Sequence, residues 1–134
     1  VGRVLRIALL HDLQETRTGD MPRTVADYYG AEARRLAERA AFDDVMRPLG
    51  AGRAGAYAEL HEDYEARASL EARLVKAADV IDLLAQALVF ERAGARGLDE
   101  FWEGAAERDF GLEGAAREVV ADALASLARE REGK

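Results

Sequence analysis

The sequence of 134 residues contains no cysteine. Disulfide bonds and thiolate metal sites are therefore excluded, and a reducing compartment, the cytoplasm, is the expected location. Runs of apolar residues long enough to cross a bilayer are also missing, because a spanning helix needs about 20 of them. The opening VGRVLRIALL is interrupted by Arg3 and Arg6 and lacks a cleavage site of small residues. It predicts neither a signal peptide nor a membrane partner.

Basic residues are fewer than acidic residues. The chain has 19 lysines and arginines against 26 acidic residues, which gives a formal net charge of −7. A protein with this charge does not attract a nucleic acid polymer over long distances. A small anionic substrate is compatible with it, provided that a metal ion or a few local cations offset the overall field.

The sequence has almost no strand signal, and the apolar residues recur at helical spacing. Val4, Ile7, Ala8 and His11 mark a first helix, which directs His11 toward the core. Further helices are predicted at residues 30–46, around Tyr57 to Tyr64, at 69–92 with Ser69 as the N-cap, around Phe101 and Trp102, and at 113–131. Residues 47–53 are expected to form a connector. The sequence predicts an all-α protein, a single bundle of about six helices covering residues 1–134.

Two of these helices carry predicted apolar faces. On the helix at 30–46 the face comprises Ala33, Leu36, Ala37, Ala40, Ala41 and Val45. On the helix at 69–92 it comprises Leu70, Leu74, Ala77, Ala78, Ile81, Leu84, Ala85 and Leu88. Asp79 and Asp82 fall beside this second face, where a carboxylate loses hydration unless a cation meets it. Phe101 and Trp102 are expected to pack their helix against the core.

One of the two histidines of the chain is followed directly by an aspartate, in the run HDLQETRTGD. The pair His11-Asp12 presents an imidazole nitrogen and a carboxylate oxygen that can share one divalent cation. Glu15 and Asp20 follow within a short turn and add groups for proton transfer. A His-Asp pair also arises often by chance, so the neighbouring acids carry much of the argument. These imidazole and carboxylate groups are the minimum set for metal-assisted hydrolysis.

Several charged residues near these acids have two interpretations. A metal ion held by His11, Asp12 and Asp79 would supply the cation that Asp79 requires. Lys76 either binds a substrate phosphate or forms an ion pair with Asp79 on the same helix. Arg17 and Arg23 either bind phosphate or lie in solvent beside the acidic loop. The second histidine, His61 in LHEDYE, is expected to be partly exposed and not a ligand.

Three segments in this order resemble the HD-domain metal-dependent phosphohydrolases, and among them the 5′-deoxynucleotidase branch. They are HDLQETRTGDMP, ELHEDYEARASLEARLVKAADVIDLL and EFWE. The resemblance covers most of residues 1–105, and the combination of HDxxE, GD and a later KxxD is specific to that branch.

The resemblance implies an HD-domain helical bundle with one divalent ion held by His11, Asp12 and Asp79. It gives Glu15 the role of activating or positioning water and places Asp20 near the substrate, where it assists proton transfer. It also implies hydrolysis of deoxyribonucleoside 5′-monophosphates with Co²⁺, Mn²⁺ or a similar ion, and a homodimer. Mixed imidazole and carboxylate ligation equally accepts Mg²⁺, Fe²⁺ or Zn²⁺.

The sequence departs from the family pattern at its start, because a first metal-binding histidine is expected on a helix before Val1. We therefore expect the HD domain to be incomplete at its N-terminus, with that helix missing. Two alternatives follow. Beside 5′-deoxynucleotidase activity, these are a catalytically inactive member that binds nucleotides or acts as a scaffold, and an HD-fold hydrolase of another nucleotide or phosphate ester.

Overall fold

The computed structural model describes residues 1–22, 25 and 28–133. Within these residues it contains helices and no β-strand, which confirms the predicted all-α class. The helices are α1 (Gly2–Leu10), α2 (Glu15–Thr18), α3 (Ala31–Met46), a 3-10 turn (Arg47–Leu49), α4 (Ala51–Ala66), α5 (Leu70–Arg92), α6 (Asp99–Trp102) and α7 (Gly114–Glu132). None of the helices in the described part of the chain has the length and apolar character needed to cross a membrane.

The helices group into two compact units, Val1–Ala66 and Arg67–Lys134. In the first unit α1 packs on α4, α2 packs on α3, and α3 packs on α4. The buried apolar residues of this unit are Ile7, Leu10, Ala41, Phe42, Met46, Leu60 and Tyr64. An ion pair between Arg3 and Asp63, 2.7 Å long, also joins α1 to α4.

The first unit corrects two predicted faces. On α1 the buried line runs through Ile7 and Leu10, whereas Ala8 is exposed. On α3 burial is confined to the last turns, at Ala41, Phe42 and Met46, and Leu36 is 54% exposed. Of the predicted face of α3, only Ala41 is buried, and Ala33, Leu36, Ala37 and Ala40 are exposed. Small side chains favour a helix without determining which face is covered.

The predicted connector at 47–53 is shorter in the structure. The 3-10 turn occupies Arg47–Leu49, and α4 already begins at Ala51. Gly50 is the single residue between them, and its φ of 76° lies in the left-handed region that glycine adopts without strain. A single glycine therefore links the 3-10 turn to α4.

In the second unit α5 packs on α6 and α7. The predicted cap is confirmed, because Ser69 Oγ accepts a hydrogen bond of 3.1 Å from the Ala72 N–H. Val80, Leu84, Ala105 and Leu124 form a core, and Trp102 packs against it as expected. Phe101 is 40% exposed, so only one of the two aromatic residues has the predicted role.

The predicted face of α5 is partly wrong. Ala77, Leu84 and Leu88 are buried, but Leu70 and Ala78 are exposed, and the helix buries other positions instead. The full set of buried residues on α5 is Ala72, Val75, Ala77, Val80, Leu84, Ala87 and Leu88. These positions cover a wider part of the helix circumference than the predicted face does.

Candidate metal centre

The His-Asp pair lies in the turn that follows α1. His11 is the C-cap residue of α1, and its backbone N–H still bonds to the Ile7 carbonyl. The Glu15 N–H bonds to the Asp12 carbonyl at 3.0 Å, so residues 11–15 form a tight helical turn that leads into α2. The His11 side chain is 18% exposed and that of Asp12 is 53% exposed. Solvent and a small ion can therefore reach the pair.

Hydrogen bonding determines which nitrogen of His11 faces the aspartate. His11 Nδ1 lies 2.8 Å from the Ala8 carbonyl oxygen, which can only accept, so Nδ1 carries the hydrogen and donates it. In a neutral ring Nε2 then holds a lone pair. Nε2 lies 2.9 Å from Asp12 Oδ2. Two lone-pair atoms at this separation require a proton or a cation between them.

This geometry fits a divalent ion. Ligand atoms about 2.1 Å from an ion and about 90° apart lie about 3 Å from each other. His11 Nε2 and Asp12 Oδ2 satisfy this spacing, and the bond from Nδ1 to a backbone carbonyl is a common second-sphere support for a metal-binding histidine. Tyr64 supports the ring from another side, edge-on, with the ring centroids 5.1 Å apart. The first unit thus holds this imidazole in a defined orientation.

Glu15 begins α2 and is partly buried beside the pair. Burial raises the pKa of its carboxyl above the ordinary 4.5, and the negative charges of Asp12 and Asp20 add to this, while His11 opposes it. A carboxylate with a raised pKa is a stronger proton acceptor. Asp20 itself is exposed and follows Gly19, whose φ of 73° ends α2.

Asp79 and Lys76 lie on α5, in the second unit. Both side chains are about one-third exposed, and Lys76 Nζ lies 2.7 Å from Asp79 Oδ2. The structure therefore forms the helix ion pair that was one of the two interpretations of Lys76. Asp82 is exposed and accepts a hydrogen bond of 2.5 Å from Gln86 Nε2.

Of the two arginines predicted near the acidic loop, the structure describes Arg17. Arg17 is exposed, and its Nε donates to Asp44 Oδ2 at 3.1 Å, which links α2 to α3. This contact is compatible with the solvated interpretation of Arg17. Arg23 lies outside the described residues.

The sequence model of the HD domain matches residues 1–108. The chain belongs to the HD-domain family. Among curated proteins, the HD domain is 32% identical over 94 residues to the 5′-deoxynucleotidase HDDC2 of Xenopus laevis, covering 70% of this chain and 46% of that protein. It is 33% identical over 89 residues to the Homo sapiens protein of the same name, covering 66% and 43%. The chain thus spans less than half the length of these curated relatives.

One histidine of this HD domain is more buried than the sequence predicted. His61 is 4% exposed, not partly exposed. Its ring stacks on Phe42 with the centroids 4.1 Å apart, and its Nε2 lies 3.2 Å from Gln14 Oε1. Burial lowers the pKa of the His61 imidazole below 6.5. The helical spacing of Leu60, His61 and Tyr64 could have indicated this, because all three share the face of α4 that is buried.

Proposed function

We propose that this protein is a metal-dependent phosphohydrolase that removes the 5′-phosphate from deoxyribonucleoside 5′-monophosphates. The observation that carries the proposal is the placement of two possible ligand atoms, His11 Nε2 and Asp12 Oδ2, 2.9 Å apart. The names of the relatives, 5′-deoxynucleotidases, support the reaction and the substrate class. A small anionic substrate also agrees with a chain whose net negative charge disfavours nucleic acid polymers.

The ligands that we assign to the ion are His11, Asp12 and Asp79. One imidazole and two carboxylates suit Co²⁺ or Mn²⁺, and also Mg²⁺, Fe²⁺ or Zn²⁺. When bound, such an ion supplies polarisation of a phosphoryl oxygen and a lower pKa for a coordinated water. Lys76, three residues before Asp79, offers a counter-charge close to that carboxylate.

Glu15 and Asp20 are assigned the proton transfers. In hydrolysis a water oxygen bonds to phosphorus, the bond from phosphorus to the 5′ oxygen breaks, and the 5′ oxygen gains a proton. Glu15 accepts the proton of the attacking water or orients that water, which its raised pKa favours. Asp20 donates a proton to the leaving 5′ oxygen.

Cationic side chains are assigned to the substrate phosphate. Lys76 has a flexible ammonium that exchanges readily between a carboxylate and a phosphate oxygen. Arg17 lies two residues after Glu15 and could offer its guanidinium in exchange for its contact with Asp44. Arg23, in the same segment of sequence, is proposed for the same role.

The test is phosphate release from the four deoxyribonucleoside monophosphates and their ribose counterparts, with EDTA, Mn²⁺ or Co²⁺. We expect release that depends on the ion and on the deoxyribose, and a loss of at least about 100-fold in Asp12→Asn. Glu59→Gln serves as the matched control, because Glu59 is an exposed carboxylate on α4. Turnover of nucleoside triphosphates alone, or no turnover with any ion, would refute the proposal.

Metal binding is measured separately by the shift of the melting temperature with Mn²⁺. The shift should disappear in Asp12→Asn and Asp79→Asn and persist in Glu59→Gln, because a ligand that binds only the folded chain raises its stability. A shift that survives Asp79→Asn would remove this aspartate from the ligand set. A metal-dependent shift without turnover would identify an inactive member of the family.

A further inference from the structure

Two buried polar side chains of the described residues, Gln14 and His61, contact each other. Each residue is 4% exposed, and the contact joins positions that are 47 residues apart in the sequence. An amide and an imidazole lose their hydration on burial, at a cost that their mutual hydrogen bond offsets. A polar pair is retained here although an apolar pair would avoid that cost. Such pairs specify a particular arrangement more than they add stability.

The His61 side of the pair is closely packed. Its ring stacks on Phe42, a residue that is 1% exposed, at an interplanar angle of 24°. With Gln14 Oε1 as the acceptor, His61 Nε2 donates the hydrogen bond. The donor is therefore fixed by the packing of α3 against α4.

Gln14, the other member of the pair, lies at the start of α2. Gln14 is the N-cap of α2, and its carbonyl accepts hydrogen bonds from the Arg17 and Thr18 N–H groups at 2.9 and 3.2 Å. Asp12 lies two residues before it and Glu15 directly after it. Holding the Gln14 side chain therefore holds the turn from which both carboxylates project.

We propose that His61 is a positioning residue, which acts through Gln14 to hold Glu15 in the orientation that proton transfer requires. This inference rests on the proposed function, in which Glu15 handles the proton of the attacking water. His61 touches neither the substrate nor the ion in this assignment. Because displacements of about 1 Å can cost about 100-fold in rate, a loose turn should reduce kcat more than it changes KM.

Three variants separate positioning from simple structural support. His61→Phe keeps an aromatic ring on Phe42 but removes the donor. His61→Gln places an amide N–H within reach of Gln14. The double variant His61→Phe with Gln14→Leu removes both polar partners, so no buried acceptor is left without a donor.

We expect kcat to fall about tenfold or more in His61→Phe, with KM within about twofold of the parent value. His61→Gln should recover most of kcat. The double variant should regain the melting temperature of the parent but not its kcat. Leu60→Val is the matched control, because it trims a buried neighbour on the same helix and should leave kcat unchanged.

Amide hydrogen exchange of residues 12–16 provides a readout that does not depend on activity. Exchange should be faster in His61→Phe and in the double variant than in the parent, His61→Gln and Leu60→Val. Recovery of kcat together with stability in the double variant, or unchanged exchange in both donor-free variants, would overturn the proposal. A parent without hydrolase activity would refute the proposed function, while the exchange rates would still decide whether His61 orders the turn.

Discussion

Acid should destabilise this protein through His61. Burial is the main cause that lowers the pKa of this imidazole below 6.5, and Arg39 acts in the same direction, while Glu38, Asp43 and Glu62 oppose it. In the unfolded chain the ring returns to a pKa of about 6.5. As the pH falls through that value, His61 binds a proton in the unfolded chain but not yet in the folded protein. The free energy of unfolding therefore decreases until the folded ring also titrates.

The magnitude follows from proton linkage. A single proton bound only by the unfolded chain changes the free energy of unfolding by about 1.4 kcal/mol per pH unit. His61→Gln has no group that titrates at this position. The difference between the parent and this variant should be constant above about pH 7.5 and should move against the parent by up to about 1.4 kcal/mol per pH unit below about pH 6.5.

Urea unfolding followed by far-ultraviolet circular dichroism, from pH 5 to 8.5, measures this difference. EDTA is included so that metal binding at His11 does not contribute, and the groups common to both proteins cancel in the difference. A difference that does not change with pH would show that the folded protein accepts the proton as readily as the unfolded chain. A parent that gains stability in acid would reverse the sign and refute the reasoning.

Three substitutions in the second unit test its packing by chemical denaturation or thermal melting. Ser69→Ala should cost about 1 kcal/mol, because Ala72 loses the acceptor of its N–H, and an unchanged melting temperature would contradict the cap. Leu84→Ala should cost about 3–5 kcal/mol at a site that is 1% exposed, and a loss below about 1 kcal/mol would mean that the core is loosely packed. Arg131→Lys should cost about 0.5–1 kcal/mol, because lysine cannot reproduce the contacts of Arg131 Nε and Nη2 with Glu91. A cycle with Glu91→Gln should show coupling, and additive effects would remove this pair as the cause.

The sequence predicted the elements that local interactions determine. The helix from Ser69 onward follows from one capping side chain and a run of strong helix formers, and α5 begins and ends where these signals predict. The His11-Asp12 pair could also be predicted, because adjacent residues at the end of a helix need no long-range contact to lie together. Glu15 lies close to the pair for the same reason.

Features that depend on tertiary contacts were harder to predict from the sequence. The alanine stripe on α3 satisfies the helical period, but only packing decides whether a stripe is covered, and Leu36 is exposed. The sequence left open whether Lys76 pairs with Asp79 or binds phosphate, and only side-chain placement shows its contact with Asp79. The contact of His61 with Gln14 joins residues 47 positions apart, which periodicity cannot relate.

The single tryptophan of the chain provides an optical probe of one unit alone. Trp102 packs on the core of the second unit, the Arg131 guanidinium lies 4.9 Å from its ring centroid, and its Nε1 is buried without a hydrogen-bond partner among the described residues. Its fluorescence emission should therefore be blue-shifted in the native protein and should move to the red when that unit opens. Emission and ellipticity transitions that coincide would mean that the chain unfolds in one cooperative step.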